Sequence, residues 1–344
     1  MSTSNWLPED LHSVAMRLGR ADQLAYELSE VALAWSRGPD DSGPLSLRQI
    51  ERRTGLLDVE VISIRPVPPI AAMLFSEAIH HLRSAIDNVV FYMTAKEHDE
   101  TLTEAQSRAV SMLIYEDPTK YQEKSKQLVK RGLTGFNTNS TLGKRIASLQ
   151  PFNDNASVPA IPPSLARMIG GMNSASEHPL ILLRDYSNED KHRTIRLAAG
   201  RSLVQRPDDL SRTRDLGMRH VEVGSVLEVV PKGVPTEVET SPALHVQRPN
   251  AGVWVGPGYE LDCITQHVLD VVLPTLITGL ALPGGLPTHI DLSDNGEPLA
   301  ERLRGAGKER AHDRARDVMT KAYLEAIARD PQFPPITPKP ETEV

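Results

Sequence analysis

Apolar residues recur at three- and four-residue spacing over 8–35, at Leu11, Val14, Leu18, Ala21, Leu24, Ala25, Leu28, Val31 and Ala32, and this period predicts a helix. Pro8 followed by Glu9 and Asp10 suits its start, where a free N–H is not needed and negative charge is favoured. The strongest helical pattern covers 70–95. There Phe75, Ile79, Leu82, Ile86, Val89 and Met93 advance by fours and threes into one continuous stripe. Shorter helices are expected over 103–113, 118–130 and 141–149, and another over 177–195, entered at His178-Pro179 and packed through Leu180, Leu183 and Ile195. The stretch RGPDDSGP at 37–44 breaks the first helix into an exposed loop, and strand-like alternation over 59–65 is closed by Pro66, Pro68 and Pro69. A Pro-rich loop is expected over 151–163.

After Leu197 the texture changes. Val221, Val223, Val226, Leu227, Val229 and Val230 are punctuated by Gly224, Pro231 and Gly233, and further apolar sets follow over 234–246 and 253–255. This predicts an antiparallel meander over 197–256, and with it an α+β fold around a mainly helical core. Helices return over 261–273 and 297–329, and the tail 331–344, with five prolines, is expected to be disordered. The expected organisation is one elaborated domain over 1–330, helical over 1–196, β-rich over 197–260 and helical again over 261–329.

Charge and composition narrow the partners. The 38 basic and 45 acidic residues leave a net charge of −7, which argues against a general binder of DNA backbones. One cysteine, Cys263, excludes an internal disulfide framework and fits a reducing cytoplasm. The segment MSTSNWLPED shows no basic region followed by an apolar run, so no signal peptide is expected. The most apolar stretch, 261–282, carries Asp262, His267, Asp270 and Pro274, too polar for an expected membrane span. Gly-rich phosphate loops and Gly-x-Ser-x-Gly turns are absent from the sequence.

Two polar constellations stand out. On the 70–95 helix His80, Arg83 and Asp87 fall within an arc of roughly 60° beside the apolar stripe. Asn188 to Arg193 reads NEDKHR, with Asn188 and His192 on one helical face and Arg184 and Lys191 flanking it. These are the groups that bind or cleave phosphate esters. As a solvated face they amount to i, i+4 pairs such as Arg83–Asp87, worth only tenths of a kcal/mol.

HHLRSAIDNVVFYM followed by PLILLRDYSNEDKHRTI resembles a widespread bacterial family, whose members carry a strand ending in Arg-x-Pro, a helix reading H-x-L-R-S-A-L-D and a later N-x-D-K-H-R. The likeness spans about 11–230, with Ile64-Arg65-Pro66 as the strand end. It singles out His80, Arg83, Asp87, Asn188, Asp190, Lys191, His192 and Arg193 without assigning them a role. A partial likeness to HEPN ribonucleases, helical dimers with Arg, four residues, then His, meets Asn88 where the His would stand. Residues five apart on one helix also diverge by about 140°, so such a site would need His192 or a second protomer to complete it.

The leading expectation is therefore a cationic pocket between the two helices. His80, Arg83, Asp87 and His192 are its catalytic candidates, and Asn188, Asp190, Lys191 and Arg193 would hold a phosphate-bearing ligand or RNA. The alternatives are a non-catalytic protein with a buried ion network, and a HEPN-like ribonuclease of a defence or toxin-type system, for which a homodimer is implied. Glu77-x-x-His80 and Glu189-x-x-His192 have dimetal spacing, with Glu27, Glu30 and Glu104 as further carboxylates. Arg83 one turn from His80 would repel such an ion by about 4 kcal/mol per unit of its charge at 4 Å in an effective dielectric of about 20. No metal or cofactor is thus expected. His12, His98, His178, His220, His245, His267, His289 and His312 lack metal-ligand spacing. The charged stretch 302–316 is expected to be a solvated or partner-facing helix.

Overall fold

The computed structural model describes residues 6–38, 43–98, 101–163, 166, 175–192, 195–205, 215–233 and 239–329. The chain has an α+β fold with a helical core. Helix α1 (His12–Arg37) lies against α2 (Pro69–Glu97), and the stripe that predicted α2 is the buried face: Phe75, Ile79, Leu82, Ile86 and Val89 are almost wholly covered, with Met93 partly so. Pro69 opens α2 where its missing N–H costs nothing. Trp35 near the end of α1 donates from Nε1 to the Pro66 carbonyl at 3.1 Å, fixing the approach to α2. Helices α3 (Glu104–Ala109), α4 (Pro118–Lys130), α5 (Thr141–Ser148) and α6 (Pro179–His192) follow. A main apolar cluster runs from Leu7 to Ala311.

The strands form two larger antiparallel sheets rather than one meander. The first joins β1 (Leu45–Arg53), β2 (Leu56–Ile64) and β7 (Val226–Pro231); β1 was not anticipated. The second runs in the order β6 (Asp215–His220), β5 (Leu197–Gln205), β8 (Glu239–Gln247), β9 (Trp254–Val255). A short pair, β3 (Val158–Pro159) with β4 (Ser176–Glu177), precedes α6. Strand β7 leaves its chain neighbours because Val221 and Leu227 bury against Val61, a small apolar cluster that only pairing with β2 provides.

Helix α7 (Pro257–His267) continues through a π-helical turn at Val268–Val272 into α8 (Leu273–Thr278). Pro274 explains the turn: it has no N–H to offer the Asp270 carbonyl, which accepts from Leu282 at 2.9 Å instead. The span Pro257–Thr278 is long and apolar enough to cross a membrane, yet it packs against α1, α2 and α6, and Glu260 and His267 on it are buried.

The expected helix over 297–329 is two, α9 (Leu299–Gly305) and α10 (Ala311–Arg329), separated where Gly307 bridges to His289. Its basic residues are not all solvated. Asp22, buried on α1, accepts from the Ala311 N–H at 2.7 Å and pairs with Arg314 at 2.8 Å, while Arg310 pairs with Asp262 at 3.0 Å. The tail 331–344 lies outside the described residues.

Candidate functional site

Arg83 and Asp87 of the first constellation, and Arg184 that flanks the second, meet the same piece of chain. The helix expected over 103–113 stops at Ala109, and residues 110–116 continue without regular structure beside α2. Their backbone is gripped by side chains. Met112 N–H donates to Asp87 Oδ1 at 2.8 Å, Arg83 Nη2 donates to the Met112 carbonyl at 2.8 Å, and Arg83 Nε closes the triangle on Asp87 Oδ2 at 3.1 Å. Gln150 donates to the Leu113 carbonyl at 2.7 Å and accepts from Tyr115 N–H at 3.0 Å. From α6, Arg184 reaches the Ile114 carbonyl at 3.3 Å while holding Asp185. Met112, Leu113 and Ile114 are buried, so these backbone groups need partners, and the gripping side chains supply what a strand partner otherwise would.

The remaining candidates stay apart. His80 is exposed, 3.5 Å from Ser84 Oγ. Asn188, Asp190 and Lys191 do not join the grip: Asn188 and Lys191 are exposed on α6 and Asp190 is exposed beside them. The His192 side chain and Arg193 lie outside the described residues. Of the dimetal carboxylates, Glu27 and Glu77 both face Arg20, at 3.4 and 4.0 Å, and Glu104 pairs with Arg108.

A second polar region was not flagged by the sequence. It lies inside, where β4, α6, α7 and the end of β8 meet. Arg248 and Glu260, both fully buried, form a bidentate pair with two contacts of 2.8 Å, and Tyr186 on α6 donates to Glu260 Oε1 at 3.1 Å. Burial pushes the Glu260 carboxyl up while Arg248 pulls it back, and burial also raises the Tyr186 hydroxyl and the Glu177 carboxyl. Asn250 links Glu177 to Asp185 through its side chain. Arg248 Nη1 and Glu177 Oε2 are buried without a hydrogen-bond partner among the described residues.

No family model, curated protein or solved structure matches this chain. The residues themselves carry the rest.

Next in sequence to Glu177, His178 turns toward Asp154 and His267. His178 Nε2 and His267 Nε2 lie 3.3 and 3.5 Å from the same oxygen, Asp154 Oδ2, and the two rings meet edge to face with centroids 5.3 Å apart. None of the three atoms makes a well-aligned hydrogen bond among the described residues. Asp154 is oriented by its other oxygen, which accepts from Ala156 N–H at 3.0 Å. His178 is oriented by Nδ1, which accepts from Leu180 N–H at 3.1 Å at the start of α6. Burial lowers both rings, His267 to about 4, so both are neutral at pH 7. Sequence spacing treated His178 and His267 as isolated, because a turn after α5, the entry of α6 and the end of α7 are distant in the chain and only the fold joins them.

Proposed function

We propose that this chain is a non-catalytic interaction protein of the cytoplasm, whose Arg83–Asp87 and Arg184–Asp185 pairs serve as structural ion pairs rather than as a pocket for phosphate or RNA. The observation behind this reading is the commitment of Arg83. Its Nε faces Asp87 and its Nη2 faces the Met112 carbonyl, so an incoming phosphate would have to displace a carboxylate already in place and strand a buried N–H. The net charge of −7 adds no general attraction for a polyanion.

The phosphate and ribonuclease readings are outcomes of one experiment. Labelled RNA and a panel of nucleotides are titrated against the wild type and Arg83→Met, with cleavage followed on gels and unfolding followed in parallel. The expected result is no saturable binding and no cleavage, with Arg83→Met clearly less stable. Saturable RNA or nucleotide binding that disappears in an Arg83→Met protein of unchanged stability overturns the proposal.

A further inference from the structure

We propose that Asp154, His178 and His267 form a mononuclear site for a divalent transition metal, with zinc the preferred ion and manganese or ferrous iron weaker occupants. The donor atoms carry the argument. Zinc takes imidazole nitrogen and carboxylate oxygen at about 2.0–2.2 Å, which sets ligand atoms sharing an ion about 3.0–3.5 Å apart at ordinary coordination angles. The two nitrogens stand 3.3 and 3.5 Å from Asp154 Oδ2, and all three atoms lie within 4.8 Å of one another. Each is buried and lacks an aligned hydrogen bond among the described residues, a cost that one shared ion removes for all three together.

Two further features point the same way. Asp154 Oδ1 is engaged by Ala156 N–H, which aims the remaining oxygen between the rings as outer partners of metal ligands do. His267 is the last residue of α7, placed beside His178 and Asp154 where the π-helical turn set by Pro274 begins. The His178 and His267 side chains are only 8% and 7% exposed, whereas Asp154 is 22% exposed, so water can complete the coordination from the Asp154 side. Asp154 acts on both rings and His178 acts on His267, and among the described residues no lysine or arginine contributes to either ring's shift. Two imidazoles and one carboxylate suit zinc, manganese and iron, and disfavour magnesium and calcium, which take oxygen ligands.

Binding through His178 Nε2 moves that ring's proton to Nδ1, so the Leu180 N–H loses its acceptor and the first turn of α6 senses the ion. The test uses the full chain stripped with a chelator and titrated separately with Zn²⁺, Mn²⁺ and Mg²⁺ by calorimetry, with Co²⁺ as an absorbance probe. One equivalent of Zn²⁺ should bind, Mn²⁺ more weakly and Mg²⁺ not at all, with d–d absorption from Co²⁺ and a changed Leu180 amide resonance on Zn²⁺ binding. Asp154→Asn and His267→Gln should each weaken Zn²⁺ by about 100-fold or more, a loss that even outer partners of a metal can cause. Both should melt, without metal, close to the stripped wild type; His80→Ala should bind as the wild type does. Absence of saturable Zn²⁺ binding, equal binding of Mg²⁺, or Zn²⁺ binding unaltered in Asp154→Asn and His267→Gln overturns the proposal.

Discussion

Removing the Asp87 carboxylate tests whether the α2 charges hold the fold. Asp87→Ala deletes a 2.8 Å hydrogen bond to the Met112 N–H and the 3.1 Å contact with Arg83 Nε. A hydrogen bond to a charged acceptor contributes about 1.5–3 kcal/mol, and a buried donor left without a partner costs about 1–3 kcal/mol. Met112 is 2% exposed, so water cannot fully replace the lost acceptor. The two figures overlap, and the expected destabilisation is about 3 kcal/mol. A solvated i, i+4 pair would give only about 0.3–0.5 kcal/mol, so the two accounts separate well outside error. The assay is urea unfolding of wild type, Arg83→Ala, Asp87→Ala and the double variant, with amide exchange at Met112 read by NMR. The double-mutant cycle should return a coupling of about 1–2 kcal/mol, because both side chains grip one peptide group. A loss below about 0.5 kcal/mol for Asp87→Ala, with the Met112 amide exchanging as freely as a surface amide, refutes the clamp.

Two further outcomes are expected. Arg248→Met strands the buried Glu260 carboxylate and should cost about 3–5 kcal/mol, while Arg248→Met combined with Glu260→Leu should recover much of it; denaturant unfolding of both variants is the check. His245 is fully buried, and its pKa falls from 6.5 to about 4, chiefly through burial with a smaller contribution from His220. The unfolded chain therefore binds a proton that the folded chain refuses between pH 6.5 and about 4. Stability is full above 6.5 and declines by about 3 kcal/mol as pH falls to about 4, a decline that His245→Leu should reduce in a pH series of unfolding curves.

The long helices were legible because their burial is periodic: α1 and α2 present Leu18, Leu24, Phe75 and Ile79 at helical spacing, and the stripe alone decides which side faces in. Helix α4 also starts where it was expected, with Asp117 accepting from Thr119 N–H and Pro118 opening the helix. What failed to show was every arrangement whose partner is remote or is backbone. Valines at 226–230 signal a strand but not which edge it joins; pairing with β2 follows from the burial of Val61 with Leu227. Arg83 and Asp87 look in sequence like a pair awaiting a ligand, and the peptide group of Met112 that occupies them leaves no side-chain mark. Arg310 and Arg314 read as solvated because their partners, Asp262 and Asp22, sit on other helices. His178 and His267 lacked spacing for the same reason.

The contact of Asp22 with Ala311 and Arg314 also orders events during synthesis. Asp22 is buried in the first helix, yet the guanidinium that faces it is 292 residues downstream. At about 5–20 residues per second, translation separates the two by roughly 15–60 s. Through that interval α1 can pair its leucines with α2, while Asp22 waits as a solvated carboxylate. A chain lacking residues 311–314 therefore leaves Asp22 on α1 without the Ala311 N–H and the Arg314 guanidinium that cover it in the folded protein.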